Sequence, residues 1–508
     1  MPTSLVFVDF LALGLLLYTA RRHLPPGPAG WPVIGNILDM PSSYEWKTFA
    51  RWGERWGDMM SVNLFGKHMI ILDSFEVAND LLDKKSSIYS DRPVLHVSGE
   101  MIGWKRILVL MQYGPRVREV RRLFSRTLGT HSRLAELSGD LEKEAHGFLR
   151  RVAENPSSLT KQVQRFAGSS ILKIIYGYTV EKENDEYLRI VDTAMDEFSV
   201  ATAPGAYLAD IFPILTHIPA WFPGAQWKRT AQVWRKDLDM MRNIPFEFTK
   251  AQMGAGTAVT SMVASSLGGD ADPQRESIVK DAASSMYAGE HCAHLSTCAR
   301  VDTVSTMRSF FLAMMCHSDV QKKAQAEIDR VVGSNRLPVI ADRDNLPYTK
   351  ALCWEILRWR PIGPLGIPHR LAQDDTHAGY FLPKGSVVIA NIWKMLRDPR
   401  HYSNPEQFNP DRFLPREGSE PERDPRHIVF GFGRRHICSQ LAETSLFLIC
   451  ATSLAAFEIS KPVIDGKVIE PSMEYTTGTI THPQEFQCAI KPRSSKAEAL
   501  LSAYERGD

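Results

Sequence analysis

The run Phe430-Gly431-Phe432-Gly433-Arg434-Arg435-His436-Ile437-Cys438 holds the residues of this chain best suited to chemistry. It ends on a cysteine that opens an apolar helical run, Leu441 to Leu454. The thiolate is the metal-binding form of cysteine, and it stays ionised only where donors and positive charge surround it. Here glycines free the backbone N–H groups, Arg434 and Arg435 bring charge, and a helix N-terminus adds its field. Cys438 is therefore a candidate axial ligand to a metal cofactor. A lone cysteine in a turn is more often a small buried hydrophobe, so the assignment rests on what the rest of the chain supplies to hold that sulfur.

Two further groups of charged residues bear on it. Glu355 and Arg358, three apart, share one face of a predicted helix over Ala351 to Arg360. The later stretch Pro405-Glu406-Gln407-Phe408-Asn409-Pro410-Asp411-Arg412-Phe413 is broken by prolines and can return Arg412 to the same carboxylate. Two arginines on one glutamate would make a rigid polar pin. The predicted helix Pro115 to Leu128 carries Arg116, Arg118, Arg121, Arg122 and Arg126 on more than one face. Some can look inward at an anionic ligand and others outward at an acidic partner, unless the helix is simply solvated.

The elements that must position these residues are mostly helical. Val62 to Leu64 and Met69 to Leu72 read as short strands around Gly66-Lys67, and Phe381 to Ala390 as a turn into a buried strand. Asp73 to Lys84, Ser305 to Met315 and Val320 to Val332 read as helices. An aromatic and proline-rich section over about 200–255 (Phe212, Trp221, Phe222, Trp227, Trp234) has the composition of a pocket wall for a hydrophobic small molecule, and equally that of plain core.

Composition narrows the function classes. The 508 residues carry 60 basic and 58 acidic side chains, so no global field points to nucleic acid. Seven scattered cysteines are odd in number and too few for a disulfide scaffold, which suits a reducing compartment. Leu5 to Tyr18 is apolar apart from Asp9 and Gly14, lacks a small-residue cleavage site and is followed by Arg21-Arg22-His23. It reads as a retained N-terminal anchor with the body on the cytosolic side, the alternative being a buried amphipathic helix. Pro25 to Pro32 cannot be helical and reads as a stiff tether. The expected division is an anchor at 1–20, a proline-rich hinge at 21–45 and a catalytic body at 46–508.

At this point the chain resembles the cytochrome P450 family, in its membrane-anchored, microsomal form of the kind fungi use in secondary metabolism. The resemblance runs from Pro25 to Pro492 and rests on four motifs in order: the proline-rich hinge, Glu355-x-x-Arg358, the Pro-x-x-Phe-x-Pro-x-Arg segment ending at Arg412, and the Phe430 to Cys438 loop. It implies a mainly α fold with small β-sheets, a helical triangular prism around a buried haem. Cys438 would be the fifth ligand of the iron in haem b, iron protoporphyrin IX. Glu355, Arg358 and Arg412 would form the structural triad that holds the loop, in which Phe430 and Gly431 lie against the cofactor. Arg121, His369 and Arg435 match propionate-binding positions, with Arg370 a second candidate. Ala288-Gly289 and Asp302-Thr303 match the oxygen-activation motif, Thr303 organising water at the distal oxygen and Asp302 relaying protons.

The implied reaction is insertion of one oxygen atom from O2 into a hydrophobic small molecule. No nucleotide or flavin fingerprint occurs in the chain, so NADPH electrons would come through a separate partner, NADPH-cytochrome P450 reductase, with cytochrome b5 a second candidate donor. The implied location is the endoplasmic reticulum membrane, with the catalytic body in the cytosol and no nucleic acid partner.

Three departures from the family pattern fall near the chemistry. Eleven residues, Glu290 to Arg300, split the oxygen-activation motif, and removing them restores Ala-Gly-Val-Asp-Thr. A helical continuation would push its halves roughly 16 Å apart. His291, Cys292, His294 and Cys298 have the residue types of a zinc site, but no second cluster at ligand spacing accompanies them. A gene-model or splicing origin of the insert suits the pattern better. In the haem loop, Cys438 stands eight positions after Phe430 where the family has seven, and Gln440 stands where glycine is usual. Val117 replaces a tryptophan that donates to a propionate. These departures set up an alternative to the oxygenase, a catalytically impaired or non-catalytic haem- or ligand-binding member of the family.

Overall fold

The computed structural model describes residues 23–503 except 130, 182–183, 204, 269–271, 289–300, 419 and 436–438. For 131, 132, 134, 301, 302, 435 and 439 the backbone alone is described. The expected anchor at 1–20 lies outside these residues. No described helix is long and apolar enough to cross a membrane.

The main helices are α1 (Glu45–Trp56), α2 (Pro115–Leu128), α3 (His131–Glu154), α4 (Leu159–Tyr176), α5 (Glu186–Ala201), α6 (Gln226–Gly254), α7 (Pro273–Ala288), α8 (Val301–Cys316), α9 (Ser318–Val331), α10 (Pro347–Trp359) and α11 (Ser439–Ala456). The principal sheet holds β1 (Met59–Leu64), β2 (Lys67–Leu72), β3 (His369–Arg370) and β4 (Val387–Ala390) in the order β1-β2-β4-β3. A ribbon of β5 (Phe457–Ser460) and β6 (Ala489–Pro492) follows α11. The mainly helical architecture with small sheets matches the expectation from sequence. The helix expected over Asp73 to Lys84 is split, with α-helix only at Phe75–Ala78 and a wider π-turn at Asn79–Lys84.

The apolar run Met69–Leu72 is explained by burial on both faces of the sheet. Ile70 and Leu72 join the main core with Val388 and Ala390, while Met69 and Ile71 face a second, smaller core with Trp46 and Phe49 of α1. The β2–β4 pairing is parallel, Met69 opposite Val387, and β3 pairs antiparallel to β4, His369 opposite Val388. The proline hinge is fastened to this sheet instead of projecting from it. Ser61 of β1 donates from its N–H to the Pro26 carbonyl (2.9 Å) and from Oγ to the Pro25 carbonyl (2.6 Å).

Around the centre, α8 is buried on every side from Thr303 to Met315, with Phe310 to Met314 fully buried, and α11 is likewise buried from Leu446 to Leu454. A helix surrounded by protein has no need of a polar face. Both α7 and α8 pack on α4. Tyr287 of α7 meets Tyr176 edge-on at 5.6 Å. Phe311 of α8 meets Phe148 at 6.3 Å, which in turn lies 6.0 Å from Phe166 of α4.

One buried carboxyl makes the fold sensitive to pH. Asp73, 2% exposed just after β2, has no hydrogen-bond partner on either oxygen among the described residues. It lies so close to α1 that a Cβ on Gly53 would stand 2.0 Å from its Oδ2. Asn391 is beside it but spends its amide on the Trp46 carbonyl at 3.0 Å. Burial raises the Asp73 pKa from an ordinary 3.8 to about 7, against the smaller pull of Asn391 and Lys394. Between those values the folded protein holds a proton that the unfolded chain has released, so stability falls as pH rises from about 4 through about 7. Asp73→Asn is expected to flatten that slope and to stabilise the protein by about 2 to 4 kcal/mol at pH 8. Denaturant titrations of both proteins at pH 5 and pH 8 check this; an unchanged slope in the variant would refute it.

Candidate functional site

The pin expected from the spacing is formed. Arg358 meets Glu355 through Nε (2.7 Å) and Nη2 (2.8 Å). Arg412, on the short turn Pro410–Phe413, reaches Glu355 from the other side at 3.2 Å. Glu355 also accepts the Asn409 N–H at 2.8 Å. Burying these charges is tolerable only because nearly every donor has an acceptor. Arg358 supplies the carbonyls of Leu396, Pro405 and Gln407, and Arg412 those of Ser403 and Gln407 together with the Glu422 carboxylate. The irregular segment 396–413 is thereby clamped onto α10, which itself packs on α11. Glu355→Gln, which leaves two guanidinium groups facing a neutral amide, is expected to cost about 3 to 5 kcal/mol of stability. A loss below about 1 kcal/mol in chemical denaturation would show that the pin holds nothing.

A second clamp, absent from the sequence reading, brackets the Phe430 loop. Glu443, in the second turn of α11 and buried, accepts from Arg343 at 2.8 Å and Arg426 at 2.9 Å. Arg426 opens the short helix Arg426–Val429 that leads into the loop and also chelates Asp424. Residues on both flanks of the loop are thus tied to one another. The signal was present, since Glu443 is the one carboxylate inside the apolar run Leu441 to Leu454.

Within the loop, Phe430 and Phe432 are buried, and Gly431 and Gly433 take left-handed backbone at φ 83° and 62°. Gly433 has no substitute: a Cβ there would lie 2.2 Å from the Leu82 carbonyl oxygen and 2.7 Å from Ser86 Cβ. Its N–H donates to Asp83 at 2.8 Å. Arg435 ends the turn Gly433–Arg435, its side chain outside the described set, and Cys438 also lies outside it. Because α11 starts at Ser439, position 438 directly precedes a helix of 18 residues, where the peptide dipoles favour an anion. Gln440, in place of the family's glycine, has a buried Oε1 without a hydrogen-bond partner among the described residues.

Contacts gather the other candidates towards this loop. Arg434 lies over the Tyr113 ring at 5.6 Å, and the Tyr113 N–H donates to Asp91 at 3.0 Å. Asp91 also receives Arg370 through Nε (3.1 Å) and Nη2. Burial raises the Asp91 pKa, but Arg370 and the N–H groups of Tyr113 and Arg92 outweigh it and hold the carboxyl below its usual value. Arg370 is therefore engaged in fixing β3 to this corner, which leaves His369 the better placed of the two to donate to an anionic ligand. His369 is fully buried, with Nδ1 2.5 Å from the Tyr89 carbonyl oxygen. Arg92, also passed over in the sequence, is fully buried and ties the Val109 carbonyl (3.0 Å) to those of Ile367 (2.7 Å) and Pro368 (3.0 Å) just before His369.

Arg121 of α2 is half-buried and shares an open basic groove of about 390 Å³ with Arg118, Arg122, Ser125 and Arg126. Val117, one turn earlier, points into the core. On the remaining side, Ala288 is buried at the end of α7 and Thr303 is buried near the start of α8. Asp302 is described by its helical backbone only, and Gly289 with the insert Glu290 to Arg300 lies outside the described residues. Among the described residues no three metal-ligating side chains cluster.

This donor set fits an anionic porphyrin with a thiolate ligand. It offers a cysteine before a helix N-terminus, a glycine loop that brings backbone close, and Arg121 and buried His369 for carboxylates. The comparisons agree. The cytochrome P450 family model matches residues 25–490. The chain is 54% identical over 488 residues to cytochrome P450 monooxygenase 208 of Postia placenta, covering 96% of this chain and 93% of that one. It is 42% identical over 509 residues to cytochrome P450 monooxygenase claR of Ampulloclitocybe clavipes (98% and 93% covered). It is 37% identical over 491 residues to cytochrome P450 monooxygenase ppsD of Aspergillus oryzae (95% and 91% covered). The coverage is nearly complete on both sides, and the polar pin stands where the family's motifs require it: the chain belongs to the cytochrome P450 monooxygenase family.

Proposed function

We propose that the protein inserts one oxygen atom from O2 into a hydrophobic small molecule, with haem b as cofactor and electrons from NADPH delivered by a separate reductase. The observation that carries this reading is the pair of buried clamps around the loop: the Glu355–Arg358–Arg412 pin fastens 396–413 to α10, on which the short helix Arg426–Val429 leading into the loop packs, and the Glu443 bridge ties Arg426 ahead of the loop to α11 after it. Such rigidity is what a first ligand shell needs from its surroundings.

When bound, haem supplies the oxygen chemistry, its thiolate ligand favouring cleavage of the O–O bond. Cys438 would hold the metal from the helix N-terminus. His369, Arg121 and Arg435 would hold the propionates, with Arg370 locking β3 through Asp91 and Phe430 and Gly431 forming the floor of the loop. Thr303 and Asp302, with Ala288 and Gly289 a turn before them in the restored motif, would position water and pass protons on the distal side. Nothing among the described residues favours a non-catalytic role.

The basic groove of Arg118, Arg121, Arg122 and Arg126 suits an acidic electron donor, whether the reductase or cytochrome b5. Exposed Trp31, Val33 and Leu38 near the hinge, and Leu208, Ile214, Trp221 and Phe222 between α5 and α6, support placement on a membrane. The two groups are neighbours through Phe65, which bonds Ile34 and stacks edge-on with Phe212 at 4.5 Å. With an anchor at 1–20 and a hinge at 21–45, the body from 46 onward would lie on the cytosolic face of the endoplasmic reticulum.

The test is turnover of a panel of lipophilic compounds with reductase, NADPH and ¹⁸O₂. One labelled oxygen atom per product, at a rate that falls with ionic strength, is expected. NADPH-dependent products without label would overturn the reading.

A further inference from the structure

Away from the haem side of α8, a buried cation lacks a counter-ion. Arg308 is 9% exposed, and its Nε is buried with no hydrogen-bond partner among the described residues. Its nearest acceptor is the Gln484 carbonyl, 3.4 Å from Nη2, and its guanidinium lies 5.9 Å from the Phe486 ring centre. Burial lowers the Arg308 pKa; Glu485, which opposes that shift, is exposed and makes no hydrogen bond to it among the described residues. Beside it, His482 buries Nδ1, also without a partner among the described residues. Burial, and then the charge of Arg308, push the His482 pKa down to about 4.

Positive charge is in excess around them. Tyr475 donates to Ser309 Oγ at 2.8 Å, since Ser309 itself donates to the Ser305 carbonyl. Arg360 lies 5.3 Å from the other side of that phenol ring, and its own buried Nε has no partner. Leaving a guanidinium desolvated and unpaired costs several kcal/mol per ion. A bridging water would satisfy the two orphan nitrogens but not the charge.

Helical geometry separates this cluster from the oxygen chemistry. At about 100° per residue, Arg308 is turned roughly 140° from Thr303 around α8. Its face is instead shared with Ser305, which donates to the Thr481 carbonyl at 2.7 Å. These contacts come from residues Tyr475 to Phe486, within which Tyr475 and Pro483 form an antiparallel bridge that closes a hairpin. Its far end reaches α5, where Thr202 bonds Thr479 at 3.1 Å.

We propose that a small inorganic monoanion of halide size binds between Arg308 Nε and His482 Nδ1, with the imidazole in its Nδ1–H tautomer, and fastens the 475–483 hairpin to α8. Both nitrogens then donate to the anion, and the charge of Arg308 is neutralised where no carboxylate reaches it.

The test uses the full-length protein in sodium bromide and in sodium gluconate at equal ionic strength. Bromide is expected to raise the thermal midpoint by about 2 °C, and Arg308→Gln to abolish that difference. If the variant does not fold, His482→Phe, which keeps the guanidinium and removes one donor, serves in its place. In crystals grown in bromide, an anomalous peak is expected within hydrogen-bond distance of Arg308 Nε. Equal midpoints in the two salts, an increment that survives in the variant, or no anomalous scatterer at that position would overturn the proposal.

Discussion

Cys438→Ser is expected to remove the thiolate-type Soret band of the reduced, carbon monoxide-treated protein while leaving the polypeptide folded. The two consequences separate because the sulfur and the scaffold around it are held by different forces. The loop is fixed by Gly433 against Leu82 and Ser86 and by the Glu443 bridge, while the pin holds 396–413 on α10. None of these contacts passes through residue 438, so an isosteric hydroxyl leaves them standing and the stability change should stay within about 1 kcal/mol. The hydroxyl cannot replace the thiolate as a soft, electron-donating ligand. Loss of the band with an unchanged circular dichroism spectrum is the predicted pair of results. An unchanged band would assign the ligand to another residue.

The second large effect concerns the distal motif. Deleting Glu290 to Arg300 is expected to raise oxygenase turnover by about tenfold or more, since misplacing a reacting group by even an ångström can cost two orders of magnitude. Tyr287 and Phe311 are 24 residues apart in the chain, about 36 Å if helical throughout, and 13 apart without the insert, about 20 Å. Tyr287 meets Tyr176 of α4 directly, and Phe311 meets Phe148 of α3, which lies against Phe166 of α4; Tyr176 and Phe166 stand ten residues or about 15 Å apart, and α4 is 18 residues long, about 27 Å in all. The surroundings of α7 and α8 therefore suit the shorter spacing. In the deleted chain Ala288-Gly289-Val301-Asp302-Thr303 becomes continuous, and one helix can bond each amide of the motif four residues back. Single-turnover rates of the two forms with the same reductase decide the matter; an equal or slower rate in the deleted form would reject this reading of the insert.

What was legible in the sequence is what local chemistry alone determines. The helix Pro115–Leu128 has the bounds expected from its proline start, and the pairing of Glu355 with Arg358 follows from a three-residue spacing on one helix face. Arg412 was placed correctly because prolines on either side leave the chain few ways to run. The long-range polar contacts were not legible. Nothing local ties Arg426 to Glu443, or shows that Arg370 is committed to Asp91 while its neighbour His369 turns to the Tyr89 carbonyl. The π-turn at Asn79–Lys84 escaped for a related reason, since the widened turn brings Leu82 and Asp83 against Gly433, a partner 350 residues away. The hinge was read only as a stiff tether, because its proline spacing says nothing of the Ser61 N–H and hydroxyl that donate to its carbonyls.

The account depends on a cysteine sulfur that binds iron from the start of α11. The carbon monoxide difference spectrum of the reduced, full-length protein tests this most directly. A Soret band at the thiolate-ligated position is predicted. A band at the position of a neutral nitrogen or thiol ligand, or well-folded protein that takes up no haem, would contradict it.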